Sequence, residues 1–483
     1  MTFVSALIAS LAAALVLAGT ASAVDVGVVD DYGIAPTNSS GFVDTLTALR
    51  MRENRLSIPW DPAAPTTIPN QQALEQYMML ATLRGVRIVF AVFPTKATAI
   101  TSDPGAAGAY VAFLQQLART FATVKDFVVG NEPNQPRFWQ PQFGRRGQPL
   151  SPATYYGLLA RSYDGLKSVD PAISVIGLGL SPRGNDQPNA RENVSISPVR
   201  FLNGVGKAYR RAGRRKPIMD ALSLHPYPDR DTDSLMKGYR WPNAGTPNLD
   251  RIKQAFWDAF NRTAQPTFRE GRSRGSMTFR LGEIGWQVGI VPASAGAYHG
   301  RESVRPTNEA AQAGIYAQAI RYLACDASVQ SMHFFLLRDE PDLERWQAGL
   351  MRADGSARPS FDSVRATLTQ TGGRCAGRLR SWRHSTKVAG ARVRFPRKRV
   401  LPARRLALAL IMNAQEDALV DARLYRGSRR ILRQRATVKA YRSRVVRFRT
   451  RFRPGRYTFR VTLRAAMNAR RTKSFVAPLR ITR

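Results

Sequence analysis

Two glutamates in this 483-residue chain stand where acid–base chemistry could be done. One lies in Gly130-Asn131-Glu132-Pro133-Asn134, the other in Gly282-Glu283-Ile284-Gly285-Trp286. Each string closes a short apolar run, Asp126–Gly130 and Thr278–Glu283, that reads as a β-strand. Two carboxyl groups facing each other across a pocket are what cleavage of a glycosidic bond requires. One protonates the leaving oxygen; the other attacks the anomeric carbon or activates water. Taken singly, a Glu at a strand end is more often a solvated or salt-bridged group, and Asn-Glu-Pro alone is a weak signal. Other chemistries are poorly served. The four histidines (225, 299, 333 and 384) have no metal-ligand spacing, there is no Gly-x-Ser-x-Gly elbow, and no phosphate loop ends in Gly-Lys-Ser/Thr. No metal and no cofactor is therefore expected.

The pair acquires meaning from the elements that must hold it. Short β-branched runs alternate with helical patterns along the body of the chain. The strands are Val26–Asp30, Arg55–Pro59, Arg87–Phe93, Asp126–Gly130, Ile173–Leu180, Ala221–His225, Thr278–Glu283 and Gln330–Leu337. Between them, stretches such as Gly108–Ala122 carry Phe113, Leu117 and Phe121 on one helical face. Eight strand–helix repeats predict an α/β fold, a closed (β/α)8 TIM barrel spanning residues 24–375. An open doubly wound sheet is the competing architecture, weakened by the lack of a Gly-rich dinucleotide fingerprint after the first strand. In such a barrel the active site forms at the C-terminal ends of the strands. Glu132 then stands at the end of strand four and Glu283 at the end of strand seven, on the same face. Trp60, Trp139 and Trp286 fall near that face and are expected to offer flat walls to a carbohydrate substrate, although each alone also reads as ordinary packing.

These motifs resemble the retaining glycoside hydrolases of clan A, and within them family 39 and family 5-like secreted enzymes. The resemblance runs from about Val26 to Leu368. It includes the Asn131–Asn134 string with Phe138-Trp139 after it, Arg55 in RLSIPW, His225-Pro226-Tyr227, and GLMRADGSARPSF at Gly349–Phe361. It implies that Glu132 is the general acid/base and Glu283 the nucleophile. It also implies that Asn131 binds the sugar 2-hydroxyl, that Arg55 and Tyr227 orient Glu283 and keep it ionised, and that His225 lines the subsite. One departure stands out. Related enzymes often carry a Trp at the end of strand eight, where this chain reads His333-Phe334-Phe335-Leu336-Leu337. A non-catalytic carbohydrate-binding or cell-envelope protein on the same barrel is the alternative that this departure motivates.

Charge divides the chain differently. The whole carries a net charge of +39, but residues 376–483 alone hold 32 Lys+Arg, 28 of them Arg, against three acids. Segments there alternate apolar and polar residues, as in Arg456–Leu463 after the turn Pro454-Gly455, and predict a small all-β, immunoglobulin-like domain rather than a disordered tail. Such a basic domain suits an anionic cell-wall polymer, or is simply a solvated surface. Nucleic acid is disfavoured as a partner by expected export and by the lack of interleaved aromatics. Residues 1–23 end in Ala21-Ser22-Ala23 after an uncharged apolar run, the layout of a secretory signal peptide, with a membrane anchor as the alternative. The mature chain has no second apolar stretch long enough to span a membrane. The expected place is extracellular, with retention at the cell surface through the tail. Export permits a disulfide between the only two cysteines, Cys325 and Cys375, which otherwise are two separate thiols.

Overall fold

The computed structural model describes residues 23–483, so the predicted leader lies outside the described residues except for Ala23. Eight parallel strands close on themselves in chain order: β1 (Asp25–Val29), β2 (Glu53–Trp60), β3 (Arg87–Pro94), β4 (Asp126–Val129), β5 (Ser174–Leu180), β6 (Ala221–Leu224), β7 (Thr278–Ile284) and β8 (Val329–Phe334). The ring closes through β1 against β8, with Val26 opposite Met332. Strands buried on both sides must be apolar nearly throughout, and RIVFAVFP of β3 is of that kind. The outer layer is α1 (Ser39–Ala48), α2 (Gln71–Leu83), the short α3 (Ala99–Ser102), α4 (Ala106–Thr120), α5 (Ser151–Val169), α6 (Pro198–Arg211), α7 (Leu249–Phe260), α8 (Glu309–Ala324) and α9 (Pro359–Thr371). Each turns an apolar stripe inward; in α4, Tyr110, Phe113, Leu114 and Leu117 are buried at the i, i+3, i+4, i+7 spacing of one face.

Inside the barrel, successive strand residues alternate between the lumen and the helix layer. On β2 this points both Glu53 and Arg55 into the lumen, one turn of the pleat apart. The lumen has three levels. A charged base holds Glu53, Asp126, Arg280 and His333. An apolar middle holds Val89, Ala91, Val128, Ile176 and Ala221. The third level is the mouth, which carries Arg55.

Cys325 and Cys375 form a disulfide with Cα atoms 4.6 Å apart, tying the end of α8 to the segment after α9. The bridge closes a loop of 50 residues, which on the chain-entropy account contributes about 4 kcal/mol. The composition changes at Cys375, yet Trp382 still packs with the barrel core, and the second core begins at Val388. That second core fills a two-sheet β-sandwich. One sheet runs β10 (Val400–Pro402), β16 (Thr472–Thr482), β15 (Gly455–Ala465), β12 (Ala418–Arg426), β13 (Arg429–Val438); the other runs β14 (Arg444–Arg451), β11 (Arg405–Asn413), β9 (Arg392–Arg394). Leu408, Leu410 and Phe448 of one sheet meet Leu424, Phe459 and Leu463 of the other. Among the described residues, no helix is long and apolar enough to cross a membrane.

Candidate active site

Glu132 is placed by a backbone that most residues avoid. It sits at φ +37°, in the left-handed region, immediately after β4. Its N–H donates to the Gly179 carbonyl at 2.9 Å. The next turn is pinned by Asn134, which is fully buried: Nδ2 donates to the Ile196 carbonyl at 3.0 Å, and Oδ1 accepts from Ser181 N at 3.0 Å. Strain of this kind persists only where surrounding structure over-determines the geometry, and it concentrates at functional sites.

Glu283 reaches the mouth by a different device. Alternation from Arg280 would put Gly282 in the lumen and Glu283 in the helix layer. The pairing of β7 with β8 slips between Leu281 and Ile284, and such irregularities re-aim side chains. Gly282 is needed at that slip, because a Cβ there would lie 2.6 Å from Ser223 Oγ and 2.8 Å from His225 Nε2.

The two glutamates meet across the mouth. A carboxylate oxygen of each and a ring nitrogen of His225 all lie within 4.8 Å of one another. Both Glu283 oxygens are engaged: Oε1 accepts from Arg55 Nη1 at 2.9 Å, and Oε2 accepts from Tyr227 Oη at 2.9 Å. Arg55 Nη2 donates to Asn131 Oδ1, also at 2.9 Å. Because a guanidinium can only donate, the Asn131 oxygen must face it, leaving the Asn131 NH2 free. His225, fully buried, places Nδ1 3.0 Å from Glu132 Oε1 and 3.4 Å from Glu283 Oε2.

Burial would raise the Glu283 carboxyl, but His225, Arg55 and the Tyr227 hydroxyl outweigh it and hold the group below the ordinary glutamate range. Tyr227 itself is pushed well above the ordinary tyrosine range by burial and by the two glutamates, so it stays a donor. Glu132 and Glu283 keep 16% and 12% of their side-chain surface exposed, enough for a substrate to reach both. By residue type, Glu132, His225 and Glu283 are also a minimal metal-ligand set. The donor atoms that face one another are already engaged: His225 Nδ1 faces Glu132 Oε1, and Arg55 and Tyr227 occupy both Glu283 oxygens. A cation there would have to displace these bonds and sit beside the Arg55 charge, so the set fits a metal poorly.

Glu132, Glu283, Asn131, Arg55, His225 and Tyr227 are thus brought together. The three tryptophans are not. Trp60, Trp139 and Trp286 are only 1–2% exposed. Their indole N–H groups donate to the Pro65 carbonyl, Thr154 Oγ1 and the Asp233 carbonyl. Each ring packs edge-on against a helix tyrosine, respectively Tyr110 of α4, Tyr155 of α5 and Tyr316 of α8. The expectation that they wall the substrate is corrected: they point to the helix layer.

Other aromatic residues lie beside the glutamates. Trp346, in the loop between β8 and α9, lies with its ring centroid 4.9 Å from that of Tyr227 and 5.5 Å from that of Phe335. Trp346 lies twelve positions beyond Phe334, where the strand pattern gave no signal. A third carboxylate also faces this region. Asp31, two residues past β1, accepts from Ser57 N at 2.8 Å. It is open to solvent, yet surrounding protein raises its pKa by desolvation, and Arg55 and Glu283 both act on its charge.

No protein-family model and no curated protein matches the chain. Solved structures do match in fold. A family 39 glycoside hydrolase from the gut symbiont Bacteroides cellulosilyticus WH2 is 15% identical, covering 87% of this chain and 80% of its own, with a TM-score of 0.48. A monomeric β-xylosidase from Caulobacter crescentus CB15 is 14% identical over 89% of this chain and 94% of its own, with a TM-score of 0.45. A glucosidase from Croceicoccus marinus is 13% identical over the same shares, 89% and 94%, with a TM-score of 0.48.

Proposed function

We propose that the barrel is a glycosidase that hydrolyses O-glycosyl bonds with retention of configuration, with Glu283 as nucleophile and Glu132 as acid/base. The observation that carries this reading is the short reach between the two carboxylates, within 4.8 Å oxygen to oxygen, with one of them held ionised. Retaining sites place the two groups about 5–5.5 Å apart, whereas inverting sites need about 6.5–9.5 Å to admit a water.

In the first step a Glu283 oxygen bonds to the anomeric carbon while the glycosidic C–O bond breaks. The Glu132 proton passes to the departing oxygen. In the second, Glu132 takes a proton from water, the water oxygen bonds to the anomeric carbon, and Glu283 leaves with its electron pair. His225 accommodates both states of Glu132, since Nδ1 either accepts the Glu132 O–H or, carrying a proton, donates to the carboxylate. The free Asn131 amide donates to a hydroxyl beside the reacting carbon. Trp346 supplies the apolar face against which the sugar ring lies.

The test is a panel of aryl β-glycosides and polysaccharides with the product anomer followed by NMR from the first turnover. Retention is expected; an inverted product overturns the mechanism. Clear glycan binding with no product from any substrate would favour the non-catalytic reading.

Export accompanies this proposal: a leader over residues 1–23, cleaved after Ala23, delivers the chain to the oxidising compartment that a disulfide suits. Mass spectrometry of the secreted protein's N-terminus tests it. The basic sandwich then retains the enzyme on an anionic polymer of the cell envelope, a tether that should weaken with salt.

A further inference from the structure

We propose that the outer face of the β14-β11-β9 sheet is a docking surface for an extended carboxylate-bearing polysaccharide. This deepens the tethering reading above and takes from it the choice of a glycan.

Charge in the sandwich is not uniformly available. All three of its acids are already paired. Glu416 is bound to Arg471, which also reaches Asp258 of α7. Asp417 faces Arg200 of α6 and Lys439. These two pairs lie where the sandwich meets the barrel. Asp421 lies on the outer face of the five-stranded sheet, clamped by Arg423 and Arg433. On that same face Arg460 lies over the Tyr425 ring. The five-stranded sheet therefore spends part of its positive charge internally.

The three-stranded sheet does not. Its strands carry no acid at all. Register and burial place Arg447, Arg449 and Arg451 of β14 on the outside, at alternate positions and so about 7 Å apart. Arg447 and Arg449 stand opposite Ala409 and Ala407 of β11, whose side chains are exposed. At the other side of β11, Arg394 of β9 stands opposite exposed Ile411. Among the described residues, none of these four guanidiniums has an ion-pair or hydrogen-bond partner.

The result is an apolar floor of small side chains flanked by free, rigidly forked donors. A file of guanidiniums matches carboxylates along a polymer, each able to accept two parallel hydrogen bonds. The floor matches the C–H faces of sugar rings between them. Single-stranded nucleic acid needs aromatic platforms for its bases, and the sole aromatic of these strands, Phe448, is buried in the core.

The experiment measures binding of the full-length protein to polygalacturonate over a range of salt concentrations. One variant combines Arg447→Ser, Arg449→Ser and Arg451→Ser. A control removes the same charge from the exposed Arg456, Arg464 and Arg480 of the five-stranded sheet. The β14 variant is expected to bind at least about 10-fold more weakly, with a salt slope flatter by two to three; the control should change less than about 3-fold. Ala409→Glu, which places an acid in the exposed floor, should match the β14 triple. Unchanged melting temperature and unchanged aryl-glycoside hydrolysis show that fold and barrel are intact. If both triples weaken binding equally, the face assignment is wrong and only diffuse charge acts. If wild type binds no polyanion, the tethering reading itself fails. Tighter binding to a DNA oligonucleotide or to anionic phosphatidylserine vesicles, lost in the β14 triple, would overturn the choice of polysaccharide.

Discussion

The two ends of the barrel lumen are built from the same parts. Each centres on two carboxylates, an arginine and a histidine, with Arg87 added at the edge of the base and Asp31 at the edge of the mouth. At the base, Arg280 spans both acids, 2.9 Å from Glu53 and 2.8 Å from Asp126, and His333 Nε2 lies 3.0 Å from Glu53. At the mouth, Arg55 divides itself between Glu283 and Asn131 and does not reach Glu132. That division is the functional difference. At the base one arginine is shared by both carboxylates; it helps hold Glu53 low, while burial still raises Asp126. An arginine given to one acid holds it ionised, while the other is left with a histidine and an opening to solvent. Glu53 is 0% exposed and is held far below the ordinary glutamate range, burial notwithstanding, by His333, Arg280 and Arg87. The base ties its acids to one arginine; the mouth leaves Glu132 without an arginine partner.

The largest effect should come from breaking the mouth. Glu283→Gln keeps the acceptor for Arg55 but removes the proposed nucleophile, so kcat should fall by on the order of 10^4-fold or more. Its melting temperature should fall less than that of a base variant, since Arg55 loses its counter-charge but keeps the Asn131 bond and the site is partly open to solvent. Hydrolysis at near wild-type rate would place the nucleophile elsewhere.

The mirror-image change at the base should spare the chemistry and cost the fold. Glu53→Gln leaves Arg280 and His333 buried without their counter-charge, a loss expected to be about 3–5 kcal/mol. Denaturant titration measures it, and kcat determined below the melting transition should stay within a few-fold of wild type. A stability loss no larger than that of Glu283→Gln would erase the distinction between the two ends.

Tyr227→Phe sharpens the comparison by weakening the hold on Glu283 without removing it. The lost hydrogen bond to a charged group should lower kcat/KM by roughly 10- to 100-fold. The sign of the accompanying pH change follows from the depressed Glu283 carboxyl. In the proposed mechanism it must be ionised to attack, and the Tyr227 hydroxyl helps keep its pKa low. Without that donor the acid limb of the kcat/KM profile should move to higher pH. An unmoved limb would mean that Tyr227 serves packing alone.

The eight strands were legible because a parallel barrel needs continuous apolar runs, and those runs alternate with helical periods. Glu132 and Glu283 were legible from their positions at strand ends. The roles of Arg55, Asn131, His225 and Tyr227 came only through resemblance, since nothing in a strand pattern says which residue an arginine will bond. The tryptophans misled because nearness to a strand end does not fix a side of the wall. Parity would have corrected Trp60: Arg55 faces the lumen, so Trp60, five residues later, faces the helices. The base cluster was readable in the same way, from Glu53 two residues before Arg55. Trp346 was not, because it lies in an aperiodic loop. The sandwich strands showed through their alternation, and the unequal use of their arginines appeared only with the register.

The smallest effect belongs to Asp31, and it tests whether the mouth has a second free carboxylate in addition to Glu132. One of its oxygens accepts from Ser57 N; the side chain is exposed, and its other oxygen is proposed as an acceptor for a sugar hydroxyl. Asp31→Asn preserves the Ser57 bond and turns the free acceptor into a donor, so KM should rise about 3- to 10-fold with kcat nearly constant. The charge it removes repels Glu283, so the acid limb should shift slightly to lower pH, opposite in sign to Tyr227→Phe. The two variants together decide the electrostatics of the mouth. Opposite shifts mean that Glu283 sits between a donor that ionises it and a carboxylate that resists. Shifts in the same direction, or a 100-fold loss of kcat in Asp31→Asn, would move Asp31 from substrate binding into the reacting groups.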